Sequence, residues 1–323
     1  MYYKRAMAKS SIKSSTETSI LRIGSRGSPL ALTQAREVQS RLAAACGVAA
    51  ERIEIRTIRT TGDAIQDRPL AGAGGKGLFT KEIEEALLAG AIDIAVHSAK
   101  DLPTFLPAGL TIAGFLPRED PRDVFISRKA KTLKDLPPGA LVGTASPRRQ
   151  AMVKRLRPDL AVKLLRGNVE TRLRKVDSGE VDATVLAAAG LKRLGLMSAA
   201  TSIFDAEEFL PAVAQGAIAL ETRTGDAESR ALVAMVDDPD TATAVAAERA
   251  FLAILDGSCR TPIGGHAQLI GDRMRFRGMI LKPDGSDALE ARREGPRASA
   301  AELGADAGRE LRSRGSSDFF ERA

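Results

Sequence analysis

The chain has 323 residues, 44% of them hydrophobic and 28% charged, which is length enough for two or more buried cores and excludes a collagenous, mucin-like or wholly disordered chain. With no Trp, two Tyr and ten Phe there is little material for stacking single-stranded nucleic acid, and two Cys with two His cannot build a disulfide framework or a Cys/His zinc cluster. The 48 Lys and Arg against 41 Asp and Glu, a net +7, point to an anionic partner.

Residues 1–19 are rich in Ser and Lys and lack the apolar stretch of a secretory signal, so they read as a disordered extension. No run approaches the ~20 apolar residues that span a bilayer. From Ile20 to about Leu196, strand-like runs alternate with helical patterns, as in an α/β domain with a largely parallel sheet. The predicted strands are Ile20–Ile23, Ile53–Ile58, Ile92–Val96, Leu110–Phe115, Val124–Ile126, Leu141–Gly143, Val162–Leu165 and Val181–Leu186. Between them Pro29–Cys46, Leu78–Leu88, Pro147–Leu156 and Val169–Val176 are predicted helices. In the first, Val38, Leu42 and Cys46 recur at i, i+4 and i+8, which makes Cys46 a core residue.

The two halves of this region echo one another. Gly24-Ser25-Arg26-Gly27-Ser28-Pro29 matches Gly143-Thr144-Ala145-Ser146-Pro147, and Gly90-Ala91-Ile92-Asp93 matches Gly179-Glu180-Val181-Asp182, which implies two related lobes. The charged, Pro-rich 117–123 segment is a predicted hinge, with a second crossing near Leu210-Pro211. After Ala227 the pattern changes to helices at Ala227–Val236 and Thr241–Leu255, strands at Ala267–Ile270 and Met274–Leu281, and a helix at Ala298–Arg312. This predicts a small α+β domain, joined through a 256–262 loop that carries Cys259.

Ser28 and Ser146 are helix N-caps, each followed by Pro at the first helical position, and such ends offer free N–H groups to anions. Arg148 and Arg149 at the second start stand where the helix dipole repels cations, so a ligand is expected to supply the negative charge. Leu165-Arg166-Gly167-Asn168 is a further strand-to-helix turn with Arg172 beyond it, and Gly74-Gly75-Lys76-Gly77 is a flexible loop bearing Lys76. Each Arg taken singly reads equally well as solvated surface charge. Their repetition at strand ends favours a ligand site, because open α/β sheets bind beyond the carboxyl ends of strands. Asp101, in His97-Ser98-Ala99-Lys100-Asp101-Leu102-Pro103, is either a functional carboxylate on a rigid strand end or a turn cap. Cys259 follows Gly257, a predicted helix stop, and neighbours Arg260, which favours a thiolate, although a lone cysteine is usually structural.

Taken together, Ser25-Arg26-Gly27-Ser28-Pro29-Leu30, Gly74-Gly75-Lys76-Gly77-Leu78-Phe79, His97-Ser98-Ala99-Lys100-Asp101, Gly143-Thr144-Ala145-Ser146-Pro147-Arg148-Arg149-Gln150, Leu165-Arg166-Gly167-Asn168-Val169, Ala189-Gly190-Leu191-Lys192-Arg193 and Gly257-Ser258-Cys259-Arg260-Thr261-Pro262 resemble the porphobilinogen deaminase (hydroxymethylbilane synthase) family, in order, from about Ile20 to the C-terminus. The chain departs from the family's usual pattern at Ser258 (commonly Gly), Pro147 (commonly Leu) and Ala214 of Ala214-Gln215-Gly216 (commonly Gly). The resemblance implies an α/β fold with two lobes like type II periplasmic binding proteins and a small C-terminal α+β domain. The expected division is 20–117 with 216–236, then 118–215, then 237–323. It implies a transferase of tetrapyrrole (haem) biosynthesis that condenses four porphobilinogen molecules head to tail, with release of ammonia, onto a covalent dipyrromethane primer, then hydrolyses off hydroxymethylbilane.

By resemblance, Cys259 carries the dipyrromethane through a thioether. Asp101 is the catalytic carboxylate, with Lys100 beside it. Lys100, Asp101, Thr144, Ser146, Arg148, Arg149, Arg166, Arg172 and Gly190 hold the cofactor. Arg26, Ser28, Arg149, Arg172, Arg193 and Gln215 hold substrate, and Lys76 sits in a flexible active-site loop. No metal, nucleic acid or membrane partner is implied, and a cytoplasmic monomer is expected. Two rival readings are a two-lobed solute-binding sensor and a Cys/His hydrolase pairing Cys259 with His97 or His266.

Overall fold

The computed structural model describes residues 20–64, 77–255, 262–316 and 319. The expected extension over 1–19 lies outside the described residues.

The first lobe begins with β1 (Leu21–Arg26), α1 (Pro29–Cys46), β2 (Ile53–Ile58), the short α2 (Thr61–Ala64), α3 (Lys81–Leu88), β3 (Ile94–Ser98) and β4 (Leu110–Phe115). Helix α1 starts where Ser28 Oγ accepts the Ala31 N–H and Pro29 sets the first turn; it stops at Gly47, left-handed at φ 69. Its Val38 and Leu42 are fully buried, each contributing roughly 1.5–3 kcal/mol. Cys46, in the last turn, is only half-buried, which corrects its reading as a core residue.

The second lobe holds β5 (Asp123–Ser127), β6 (Leu141–Gly143), α4 (Pro147–Leu156), β7 (Ala161–Lys163), α5 (Val169–Asp177), β8 (Ala183–Ala187), α6 (Ala188–Arg193) and β9 (Ser202–Ile203). The chain then returns to the first sheet with β10 (Ile218–Arg223). The strand orders are β2-β1-β3-β10-β4 and β7-β6-β8-β5-β9. In each sheet the first three strands are parallel and the other two pairings antiparallel, so the expected largely parallel sheets are half antiparallel. The cause is the crossing. β10 begins opposite Ser98, the end of β3, and β5 begins opposite Ala187, the end of β8. A strand entering from the other lobe starts at the cleft, where parallel strands finish, and must run the other way.

The sequence echo has a structural counterpart. Asp93 accepts from Arg22 N–H at 2.9 Å, and Asp182 accepts from Leu141 N–H at 2.7 Å, so each Gly-x-x-Asp clasps a cleft-directed strand of its own sheet at its start. The two crossings touch where Glu119 N–H donates to Gly216 O at 3.2 Å. Gly216 has φ 92, and a Cβ there would lie 2.3 Å from Glu119 O, so only glycine fits.

Beyond β10 come α7 (Ala227–Ala234), α8 (Pro239–Ile254), the antiparallel β11 (Ile263–Ile270), β12 (Arg273–Leu281) and β13 (Ala288–Pro296), and α9 (Ala300–Arg314). Helices α8 and α9 approach closely at Gly304, where a Cβ would meet Ala247 O at 1.9 Å. Phe251 of α8 and Phe276 of β12 anchor a core that continues without a break to Ala99 and Leu102, on either side of Lys100-Asp101.

Several boundaries move. β3 begins at Ile94 rather than Ile92, α3 at Lys81 rather than Leu78, β7 lies at 161–163 rather than 162–165, and α9 runs to Arg314. β9, β10, β13 and α6 are additional elements. The predicted helix stop at Gly257 lies outside the described residues; α8 ends at Ile254, capped by Leu255.

Candidate active site

The ends of the parallel strands converge on one cleft. On the first-lobe side, Arg26 ends β1, Ser28 caps α1, and a single 3-10 turn (Ala99–Asp101) follows β3. Arg26, Ser28, Gln34, Phe79, Ser98 and Asp101 line one cavity. A second cavity, sharing Leu30, Gln34 and Ser98, continues to Lys100, then to Gly190 and Arg193 of the other lobe. Asp101 accepts no hydrogen bond from a described residue, and the turn has no side-chain cap. Asp101 thus lines the cavity without acting as a turn cap to any described residue.

On the second-lobe side, Ser146 Oγ accepts the Arg149 N–H at 3.4 Å, Pro147 opens α4, and Ser146 N–H is held by Thr144 Oγ1 at 3.1 Å. Arg148 and Arg149 are 5% and 6% exposed, so neither is solvated surface charge. Their counter-charge comes from the protein. Asp123, at the start of β5 and fully buried, accepts Arg148 Nη2 and Arg149 Nη2, each at 2.7 Å. This corrects the expectation that a ligand alone supplies the negative charge there. Burial alone would raise the Asp123 carboxyl, but the two guanidiniums outweigh it and hold it at about 2. Arg148 commits both Nη groups, to Asp123 and to Leu210 O at 2.7 Å, while its buried Nε has no partner among the described residues; Nη1 of Arg149 makes no hydrogen bond to a described residue.

Gln215 ties this nest to the first lobe. Its Nε2 donates to Pro121 O at 2.7 Å and Asp123 Oδ1 at 3.0 Å, and its Oε1 accepts from Lys100 Nζ at 3.2 Å. Burial, with Arg149 next to it, pushes Lys100 down to about 8, while Asp101 pulls the other way. Arg172, which donates Nε–H to Gly167 O at 2.9 Å, is pushed down to about 10 by burial and by Arg149 and Arg166. Lys100, Arg148, Arg149, Arg166 and Arg172 therefore share one electrostatic neighbourhood with Asp101 and Asp123, five cations against two carboxylates. Two of these cations, Arg148 and Arg149, are buried and the other three half-buried, and such an excess of positive charge is a favourable setting for anions.

Other expected site residues are partly engaged. Arg26 pairs with Asp63 at 2.5 Å and lies 4.1 Å over the Phe79 ring. Arg193 reaches across the cleft to Glu37 at 3.4 Å and donates to Gly216 O at 3.0 Å. Cys259 and Lys76 lie outside the described residues. His97 is buried against Glu221 at 3.0 Å, and burial lowers His266, which keeps it neutral. Asp123, Gln34, Asp63 and Phe79 were not expected at the site. For Asp123 the available signal is a carboxylate opening an otherwise apolar run, Val124-Phe125-Ile126.

The fold and the cleft define a class: a two-lobed α/β protein whose inter-lobe cleft is lined by more cations than carboxylates. Profiles of two protein domains match the chain, "Porphobilinogen deaminase, dipyromethane cofactor binding domain" over residues 21–231 and "Porphobilinogen deaminase, C-terminal domain" over residues 242–313. The porphobilinogen deaminase of Nitrobacter winogradskyi is 66% identical over 96% of this chain and 98% of its own length, and that of Paracoccus denitrificans 55% identical over 93% and 96%. The chain belongs to the porphobilinogen deaminase family. Among solved structures, the periplasmic VFT2 domain of Bordetella pertussis BvgS aligns at 17% identity with a TM-score of 0.41, covering 73% of this chain and 90% of that one.

The donor set fits the family's dipyrromethane cofactor. A molecule with carboxylate side chains and ring N–H groups needs cations for the former and an acceptor for the latter, and the cleft presents several cations near Asp101, whose carboxylate accepts no hydrogen bond from a described residue.

Proposed function

We propose that this chain condenses four porphobilinogen molecules onto a dipyrromethane held as a thioether on Cys259, releasing ammonia at each addition and hydroxymethylbilane at the end. The bound dipyrromethane supplies the primer to which each new pyrrole is joined. The observation that carries the reading is the cation excess around Asp101 in a chain of this family.

Arg166 and Arg172 grip carboxylates of the primer through their guanidiniums and Arg149 through its Nη1, joined by Ser146, Thr144 and Lys100. Arg148 acts with Asp123 to set the direction of Arg149. Gly190 leaves the groove wall open, and Arg26, Ser28, Arg193 and Gln215 receive the incoming pyrrole, Arg26 by exchanging Asp63 for a substrate carboxylate. Asp101 accepts the pyrrole N–H groups and offsets positive charge that develops on the rings, a preorganised partner in a site shielded from water. Lys100, with its lowered affinity for a proton, is placed to exchange one with the departing amine. The proposal assigns no metal and no nucleic acid, and places a monomer in the cytoplasm. Among the described residues no helix is long and apolar enough to cross a membrane.

The test is intact mass combined with turnover of porphobilinogen. Wild-type and Cys46→Ala protein should carry a dipyrrole adduct and release hydroxymethylbilane, and Cys259→Ala should show the bare polypeptide mass and no product. A bare, inactive wild-type protein supports the sensor reading instead. An adduct on Cys46 refutes the assignment to Cys259.

A further inference from the structure

We propose that Glu221 is a positioning residue that fixes the turn bearing Asp101 by holding it from both sides. This inference rests on the reading of Asp101 as the group that meets the pyrroles.

Glu221 is a wholly buried carboxylate in the middle of β10, a strand otherwise packed into the first-lobe core. A buried anion is expensive unless it is paired, so its partners indicate what it does. One is His97: its Nε2–H donates to Glu221 Oε2 at 3.0 Å, both side chains being almost fully excluded from solvent. His97 lies opposite Ala219 in the β3–β10 ladder and comes four residues before Asp101. Glu221 Oε1 is buried and accepts no hydrogen bond from a described residue; the charge that faces it from α8 is Arg249, half-buried, which makes no hydrogen bond to Glu221 but feels it as its favourable charge. Arg249 Nη2–H donates to Pro103 O at 2.8 Å and Thr104 O at 3.1 Å, two and three residues after Asp101. The segment 97–104 is therefore held at its start by His97 and at its end by Arg249, and Glu221 is the charge common to both. Ala99 and Leu102, within the held segment, sit in the core built around Phe251 of α8.

The geometry explains a cost that folding alone does not require. A β10 strand with an apolar residue at 221 would pack more cheaply, but Arg249 would lose a favourable charge and His97 Nε2–H would lose its acceptor. The arrangement also links α8 to the turn that bears Asp101.

The experiment compares wild-type enzyme with Glu221→Gln, which keeps the shape and an acceptor for His97 but removes the charge. Amide hydrogen exchange of the peptide covering 97–104 should quicken by about tenfold or more while α1 and β1 stay protected. kcat should fall by roughly 10- to 100-fold with KM within about threefold, as expected when a reacting group is misplaced rather than removed. In an Asp101→Asn background the added Glu221→Gln should lower kcat no further, since its effect passes through that carboxylate. Unchanged exchange across 97–104, or losses that multiply in the double variant, would overturn the proposal. Should Glu221→Gln not fold, Arg249→Lys releases one end of the grip and is read by the same three measurements. Failure of the underlying reading looks different: Asp101→Asn alone would then turn over at the wild-type rate, whatever happens to exchange in the turn.

Discussion

Arg118 and Glu248 form a two-pronged ion pair, at 2.6 and 3.1 Å, that joins the first inter-lobe crossing to helix α8. Glu248 is fully buried, and its two oxygens also accept the N–H groups of Ala214, on the second crossing, and Ala267, on β11. One carboxylate thus fastens the third domain to both crossings. Removing one partner of a buried pair leaves the other charge unpaired at about 3–5 kcal/mol. Glu248→Ala should lose stability in that range by denaturant unfolding, and replacing both partners with apolar residues should cost less. Equal losses for the single and double variants would show that the backbone N–H groups, and not the ion pair, dominate.

Ala214 sits beside that bond with φ 59, the left-handed region, where a side chain costs roughly 1–2 kcal/mol. Relief of that strain opposes the entropy cost of glycine, about 0.5–1 kcal/mol, and the loss of a buried methyl. Ala214→Gly should therefore change stability by less than about 1 kcal/mol, while the β-branched Ala214→Val should destabilise clearly more. Thermal unfolding of the two variants side by side distinguishes them.

Lys100 has its proton affinity lowered to about 8 by burial and by Arg149. Its charge is present below that pH and is lost as pH rises through it, so its hold on carboxylates weakens on the alkaline side. The primer's carboxylates favour the charged form, so in the loaded enzyme the plot of log kcat/KM for porphobilinogen should bend downward at or above pH 8. Lys100→Arg, which stays charged, should move the bend to higher pH even if the maximum is lower.

The arginines should separate by what already engages them. Arg148 spends its Nη groups on Asp123 and Leu210 O, so Arg148→Lys should chiefly impair stability and loading of the primer. Among the described residues Arg172 has only its Nε committed, to Gly167 O, so Arg172→Lys should fold and load but stall during elongation. With limiting porphobilinogen, mass spectra should show partly elongated adducts accumulating in Arg172→Lys and not in the wild type. Identical ladders in both variants would make these arginines structural only.

How far the sequence discloses this molecule depends on where the information lies. Helices α1 and α4 are legible to the residue because Ser-Pro starts and apolar spacing are local signals. The converging Arg, Ser and Asp101 are legible because turns at strand ends are local too. β10 is not, since Ile218–Arg223 becomes a strand by returning to a sheet whose other members lie more than a hundred residues earlier. Asp123 reads as part of a polar hinge, and only the tertiary fold brings it between Arg148, Arg149 and Gln215. The same holds for Glu221, whose partners come from β3 and α8.

The most direct test of the account is the single-turnover rate of Asp101→Asn under saturating porphobilinogen, with the dipyrrole adduct first confirmed by mass. The substitution keeps the size and removes the charge that faces the surplus cations of the cleft. Loss of one preorganised electrostatic partner costs about 2.7–4 kcal/mol of barrier, so the rate should fall roughly 10²- to 10³-fold with the adduct intact. A loaded Asp101→Asn enzyme turning over at close to the wild-type rate would contradict the assignment of Asp101 and the mechanism built on it.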